Sequence, residues 1–273
     1  MAIHTFLNRK SSGKSTLLAN LAISIARRDS SQKVILVDLN LITPDLAYIF
    51  NEIDEQKKQY PVFLDELYRY IRIGETFEVK EFLTPTKDVP NLFLMAGTRN
   101  LAEDFNSLQE SNWRFLFNLL KQQDVLILVD TGRYQNNSLF QYLTKASDKL
   151  IIVQDQDLFG AAHSAFMVSN LLQFVAKEKI ELWISRYEVD SPITVSYIEE
   201  LLGLKAAQQI PGMPRKDYNQ SILLDKPLGL HNIKGYTSVL DNVAASILGQ
   251  APIEERSNFK WKLPNLRKKS TAI

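Results

Sequence analysis

Residues 2–16 read AIHTFLNRKSSGKST. An apolar run over 2–7 leads through a short polar loop into Gly13-Lys14-Ser15-Thr16, and from there Leu17, Leu21 and Ile25 recur at helical spacing. Strand, loop and helix in that order form the setting of a phosphate-binding loop. Backbone N–H groups of the loop and helix N-terminus can surround phosphates, Lys14 can reach their outer oxygens, and the Ser15 hydroxyl can ligate Mg²⁺. Gly13 permits close backbone approach. The pattern G-x-x-x-x-G-K-[ST] would place its first glycine at Asn8, and asparagine is one of the few other residues that tolerate left-handed backbone.

Two further stretches extend the reading. VILVDLN (34–40) and VLILVDTGR (125–133) are apolar runs that each end in an aspartate, Asp38 and Asp130. Taken singly, such an aspartate reads as a turn residue. Behind a phosphate loop, the pair reads as carboxylates at the carboxyl ends of parallel strands, where ligands bind in open α/β sheets. There they can act on Mg²⁺ directly or through water.

The same rhythm runs along the chain. Strands are expected at 2–7, 33–38, 91–95, 125–130, 149–153 and 180–185, with a short one near Gln209. Helices are expected at 14–28, 61–73, 108–122, 161–177, 192–202 and 237–248. Alternation of this kind defines βαβ units, and the continuous Ile/Val/Leu runs belong to central strands covered on both faces. The fold class is therefore α/β, a doubly wound, mostly parallel sheet flanked by helices. One nucleotide-binding domain is expected over 1–249, followed by a basic tail, 250–273, that carries Arg256, Lys260, Lys262, Arg267, Lys268 and Lys269.

These blocks resemble the deviant-Walker-A P-loop ATPases that include MinD, ParA and the pilus-associated CpaE and TadZ proteins. The resemblance runs through RKSSGKSTLLANLAISIA, KVILVDLNLITPDL, NLFLMAGTR, DVLILVDTG and DKLIIVQDQDLFGAAHS. It continues in SRYEVDSPITVSYIEELLGLKAAQQIPG and SILLDKPL, which look most like the CpaE/TadZ branch. It implies ATP and Mg²⁺ as cofactors, and a homodimer with two nucleotides sandwiched at its interface. Carried over by position, Ser11, Ser12, Gly13, Lys14, Ser15 and Thr16 form the phosphate loop. Ser15, Asp38 and Asp130 would attend the metal, and Pro211 lies where the base-contacting loop begins.

Four positions depart from that family's pattern. Its extra signature lysine, which reaches the partner's phosphate, aligns with Arg9, beside Lys10; arginine keeps the charge with a different geometry. A glycine pair is replaced by Lys10-Ser11, and the adenine-reading asparagine by Ser185. A second carboxylate that positions the attacking water is Asn40, which can hydrogen-bond that water but cannot accept its proton. Lys14 and Asn40 are thus the candidate catalytic residues, in a site expected to turn over slowly or not at all.

Composition narrows the partners. Net charge is +1 with a pI near 7.8, which gives no global case for nucleic acid and disfavours a DNA-segregating ATPase. No cysteine is present, so disulfides and thiolate metal sites are excluded, and cytoplasmic residence fits. No apolar stretch approaches a membrane span, and the start lacks the features of a signal peptide. A protein partner of a localised assembly, at the inner membrane or cell pole, follows from the resemblance. The tail NFKWKLPNLRKKS could touch an anionic membrane, although Pro264 interrupts any amphipathic helix and a solvated tail is the simpler reading. A scaffold that dimerises without nucleotide is the remaining alternative. His4, His163 and His231 share no spacing, and no role is assigned to them; Trp113, Phe115 and Phe117 are expected to pack against the sheet.

Overall fold

The computed structural model describes residues 2–8, 12–50, 52, 61–99, 102–135, 137–214, 216, 217, 219, 233 and 235–252. Eight strands form one sheet in the order β3-β4-β2-β5-β1-β6-β7-β8. They are β1 (Ala2–Asn8), β2 (Val34–Leu39), β3 (Thr84–Thr86), β4 (Val89–Met95), β5 (Leu126–Arg133), β6 (Lys149–Gln154), β7 (Ile180–Tyr187) and β8 (Ala206–Pro211). Neighbouring strands run parallel, except that β3 returns antiparallel on β4 and places Pro85 on the edge. A proline there donates nothing to a further strand and blunts that edge.

The helices are α1 (Lys14–Arg28), α2 (Leu46–Ile49), α3 (Leu64–Ile73), α4 (Ala102–Asn106), α5 (Glu110–Lys121), α6 (Ser138–Ala146), α7 (Leu158–Leu171), α8 (Val195–Leu202) and α9 (Tyr236–Ile247). Alternate residues of one strand face opposite layers. Val34 and Leu36 pack with α1, α2 and α9, whereas Ile35 and Val37 pack with α3, α5 and α6. Leu150, Ile152, Leu182 and Ile184 meet α7 and α8 on that second face. Burial on both faces explains why the central strands read as unbroken apolar runs. Phe6 and Trp183 meet edge-on at 5.5 Å under α1, a contact worth about 0.5–1.5 kcal/mol beyond the area it buries.

Helix α1 follows its expected bounds; other elements are shifted or were not foreseen. Helix α7 begins at Leu158, three residues before the expected 161, because Asp157 caps it by accepting from the Gly160 amide at 2.6 Å. Helix α6, absent from the sequence-based list, is capped by Asn137, whose side chain accepts from the Phe140 amide. Strand β3 and the short helices α2 and α4 were also unforeseen. Trp113 and Phe117 are fully buried and Phe115 half-buried, as expected of core residues. The far end of α1 is tied to the last described turn: Arg28 donates to the Gln250 side chain at 2.7 Å and to the Ala251 carbonyl at 2.6 Å. Residues 253–273, which hold most of the basic tail, and His231 lie outside the described residues.

Candidate nucleotide site

The site sits where β2, β5 and β1, adjacent in the sheet, reach their carboxyl ends. Parallel register sets Asp38 directly opposite Asp130 and Phe6 opposite Asp130, so both carboxylates stand level with Phe6, two residues before β1 ends. Gly13 caps α1 with φ +72°, left-handed backbone that suits glycine. Lys14 begins the helix. Asn8 does not adopt the left-handed turn allowed for it: it ends β1 as extended strand paired with Arg133, so this loop has no call for glycine at that position. Its side-chain amide donates to the Ser12 hydroxyl at 3.3 Å and braces the loop from below.

Lys14 is buried, and its ammonium bonds the Asp130 Oδ1 and the Thr131 carbonyl. Burial pulls the Lys14 pKa down to about 7, with Asp38 and Asp45 pulling the other way. The second Asp130 oxygen is buried with no hydrogen bond among the described residues. Asp38 is fully buried, and burial pushes its pKa up to about 7, opposed by the amides of Leu46 (3.1 Å) and Asn40 (3.0 Å). Asp38 is thereby tied to the start of α2.

A cavity of about 200 Å³ opens over the loop, lined by Ser12, Gly13, Lys14, Ser15, Thr16, Asn40, Thr43, Asp45 and the turn after Asp130. The donor set suits a polyphosphate with a divalent ion: helix-terminal amides and a lysine for the anion, and Ser15 with the orphaned Asp130 oxygen for the cation. Asn40 lines this cavity, but its amide nitrogen donates to the Thr43 carbonyl and, at 3.0 Å, to the Thr43 hydroxyl. Gly132 leaves room for it, since a Cβ there would lie 3.0 Å from the Asn40 Oδ1.

The loop from Asp38 to Asp45 also needs Gly97, two residues past the end of β4, where an added Cβ would come within 2.4 Å of Pro44. Gly97→Ala is expected to displace Pro44 and to destabilise the protein by about 1–3 kcal/mol, the usual cost of overpacking. Denaturant melts of the two proteins check this.

Beside Gly13 a second cavity of about 290 Å³ has apolar walls from Leu17, Ile210, Pro211, Met213 and Tyr236, and a polar rim that includes Arg186 and Glu188. Its apolar walls and polar rim suit a heterocyclic base. Pro211 is among its lining residues. Ser185 lines it too, but its hydroxyl donates to the Ser12 carbonyl at 2.8 Å and so ties β7 to the phosphate loop. Arg9, Lys10 and Ser11 lie outside the described residues. Sequence reasoning missed Asp45, whose position after Pro44 as cap of α2 was a readable signal. It also missed Tyr236 and Arg186, which carried none. Burial raises the Asp45 pKa, with Lys14 opposing. His4 is half-buried in β1 and His163 is exposed on α7, both away from either cavity. Among the described residues no cluster of three or more His, Cys, Asp or Glu forms a metal cage, and no helix is long and apolar enough to cross a membrane.

This eight-stranded, mostly parallel sheet flanked by helices, with its loop and carboxylates at the strand ends, is the fold of the MinD/ParA P-loop NTPases. A ParA family ATPase from Chlorobium tepidum superposes with a TM-score of 0.76 at 17% identity, covering 89% of this chain and 98% of its own. MinD from Aquifex aeolicus, solved in complex with MinC, gives a TM-score of 0.73 at 17% identity over 94% of this chain and 99% of its own. MinD from Pyrococcus horikoshii, complexed with Mg-ADP, gives 0.69 at 16% identity over 90% and 95%. No protein-family model and no curated protein matches the chain.

Proposed function

We propose that this chain is a nucleotide-switched positioning protein of the MinD/ParA type, which binds ATP with Mg²⁺, pairs with a second copy, and recruits a protein partner to a localised assembly. The observation that carries the reading is the convergence of Gly13, Lys14, Asp38 and Asp130 at the ends of three adjacent strands, beside an apolar base cleft. Similarity to MinD structures solved with Mg-ADP and with MinC supports nucleotide and partner binding in this fold. In this reading residues 1–249 form the nucleotide domain and 250–273 an appended basic tail. Two copies face each other through their phosphate loops, where Arg9 or Lys10 of one neutralises phosphate held by the other. Pilus or secretion machinery, as in the CpaE/TadZ branch, is the proposed assembly.

Saturating ATP with Mg²⁺ is expected to raise the melting temperature by about 5–10 °C, which is what about 2.7 kcal/mol of linkage at a hundredfold excess over Kd gives a domain of this size. Light scattering should register a doubled mass in the same solution. A melting curve indifferent to ATP overturns the nucleotide assignment. A doubled mass with and without ATP makes the protein a nucleotide-independent scaffold.

A further inference from the structure

Arg186, near the end of β7, has φ +51°, backbone that side chains with a Cβ rarely adopt. Asp124 is the other such residue outside glycine among the described ones, and aspartate tolerates the conformation in a turn. Arginine has no comparable help. The neighbouring chain accommodates it: a Cβ on Gly212 would lie 3.6 Å from the Arg186 Cα. Strain that the surroundings hold in place marks a residue whose direction matters.

That direction is toward the phosphate loop. A Cβ built on Gly13 would lie 3.1 Å from both the Nε and an Nη of Arg186, so the guanidinium lies along the loop backbone. Its ion pair, with Asp155, is loose at 4.0 Å, and the side chain is 57% exposed. The base cavity and the phosphate cavity share Ser12, Gly13 and Thr16; Arg186 and Pro211 line only the first, Lys14 and Asn40 only the second. A nucleotide spanning both has its base at Pro211 and its outer phosphate at Lys14, and its inner phosphates cross Gly13 within reach of the guanidinium.

Resting on the proposed nucleotide site, we infer that Arg186 is a phosphate-binding residue supplied by the same chain, gripping the α- and β-phosphates of a nucleoside di- or triphosphate. The planar fork of arginine suits paired phosphate oxygens.

Calorimetry with ATP and ADP on wild type, Arg186→Gly and Arg186→Lys, alongside melts of the nucleotide-free proteins, tests this. Arg186→Gly should weaken ATP and ADP alike by about ten- to a hundredfold, the effect of losing a hydrogen bond to a charged group, and leave their ratio unchanged. Its nucleotide-free melting temperature should not fall, because glycine adopts this backbone freely. Arg186→Lys should lie between the two. Unchanged or tighter binding in Arg186→Gly overturns the inference and leaves the nucleotide site standing, as does a lowered melting temperature accompanying weaker binding, the mark of a structural residue. Failure of the wild type to bind either nucleotide removes the site itself, and Arg186's role with it.

Discussion

Lys14→Ala is expected to abolish measurable ATP binding and, separately, to lower the melting temperature of the nucleotide-free protein. Both follow from where the ammonium sits. It is the buried cation among the residues that line the phosphate cavity, so its loss leaves the outer phosphate beside Asp45 with loop amides but no buried positive charge. It is also the partner of a fully buried Asp130. Deleting one member of a buried ion pair strands the other charge, at a typical cost of about 3–5 kcal/mol. The two effects separate in the double variant Lys14→Ala, Asp130→Asn: removing the stranded charge should restore most of the stability and none of the binding. Equal ATP affinity in wild type and Lys14→Ala, measured on folded protein, would remove the phosphate-loop assignment.

The second large effect concerns turnover. Wild type is expected to release phosphate very slowly, and Asn40→Asp to accelerate it, since general-base assistance contributes about 10²- to 10⁴-fold where the rest of the site is intact. The geometry places the gain at the low end of that range. The Asn40 amide holds the turn to Thr43 by donating to its carbonyl and hydroxyl, and a carboxylate, which can accept only from the Thr43 amide and hydroxyl, loses the bond to the carbonyl. Asn40→Asp therefore loosens the segment that joins Asp38 to Asp45 while it supplies the missing base. Single-turnover phosphate release at equal ATP occupancy is the measurement, with about a hundredfold rise expected. Rapid wild-type turnover would refute a weakened site; inertness of both proteins would place the defect in the altered phosphate loop.

How much of this could be read beforehand depended on the range of the interactions involved. Glycine at a left-handed helix cap, an aspartate after an apolar run and helical spacing in α1 are local, and Gly13, Asp38, Asp130 and residues 14–28 were legible from them. The in-register facing of Asp38 and Asp130 needs β2 and β5 to be neighbours although 86 residues intervene between the end of one and the start of the other. No short-range pattern encodes that. Caps such as Asn137 and Asp157 were present in the sequence but were outweighed by reading apolar spacing alone, which cost helix α6 and the start of α7. Asn40 was read as a residue free to meet a water, and the structure ties it to Thr43. Arg186 depends on a backbone angle at the end of one strand and a loop from another, and nothing in the string of residues signals it.

Helix α1 starts at the phosphate loop and ends where Arg28 donates to Gln250 and Ala251. At 1.5 Å per residue it is a rod roughly 22 Å long, and it contains neither proline nor glycine. The two ends therefore move as one piece. A displacement of the first turn of α1 would be carried by a continuous helix to Arg28 and its contacts with Gln250 and Ala251, with no joint between them.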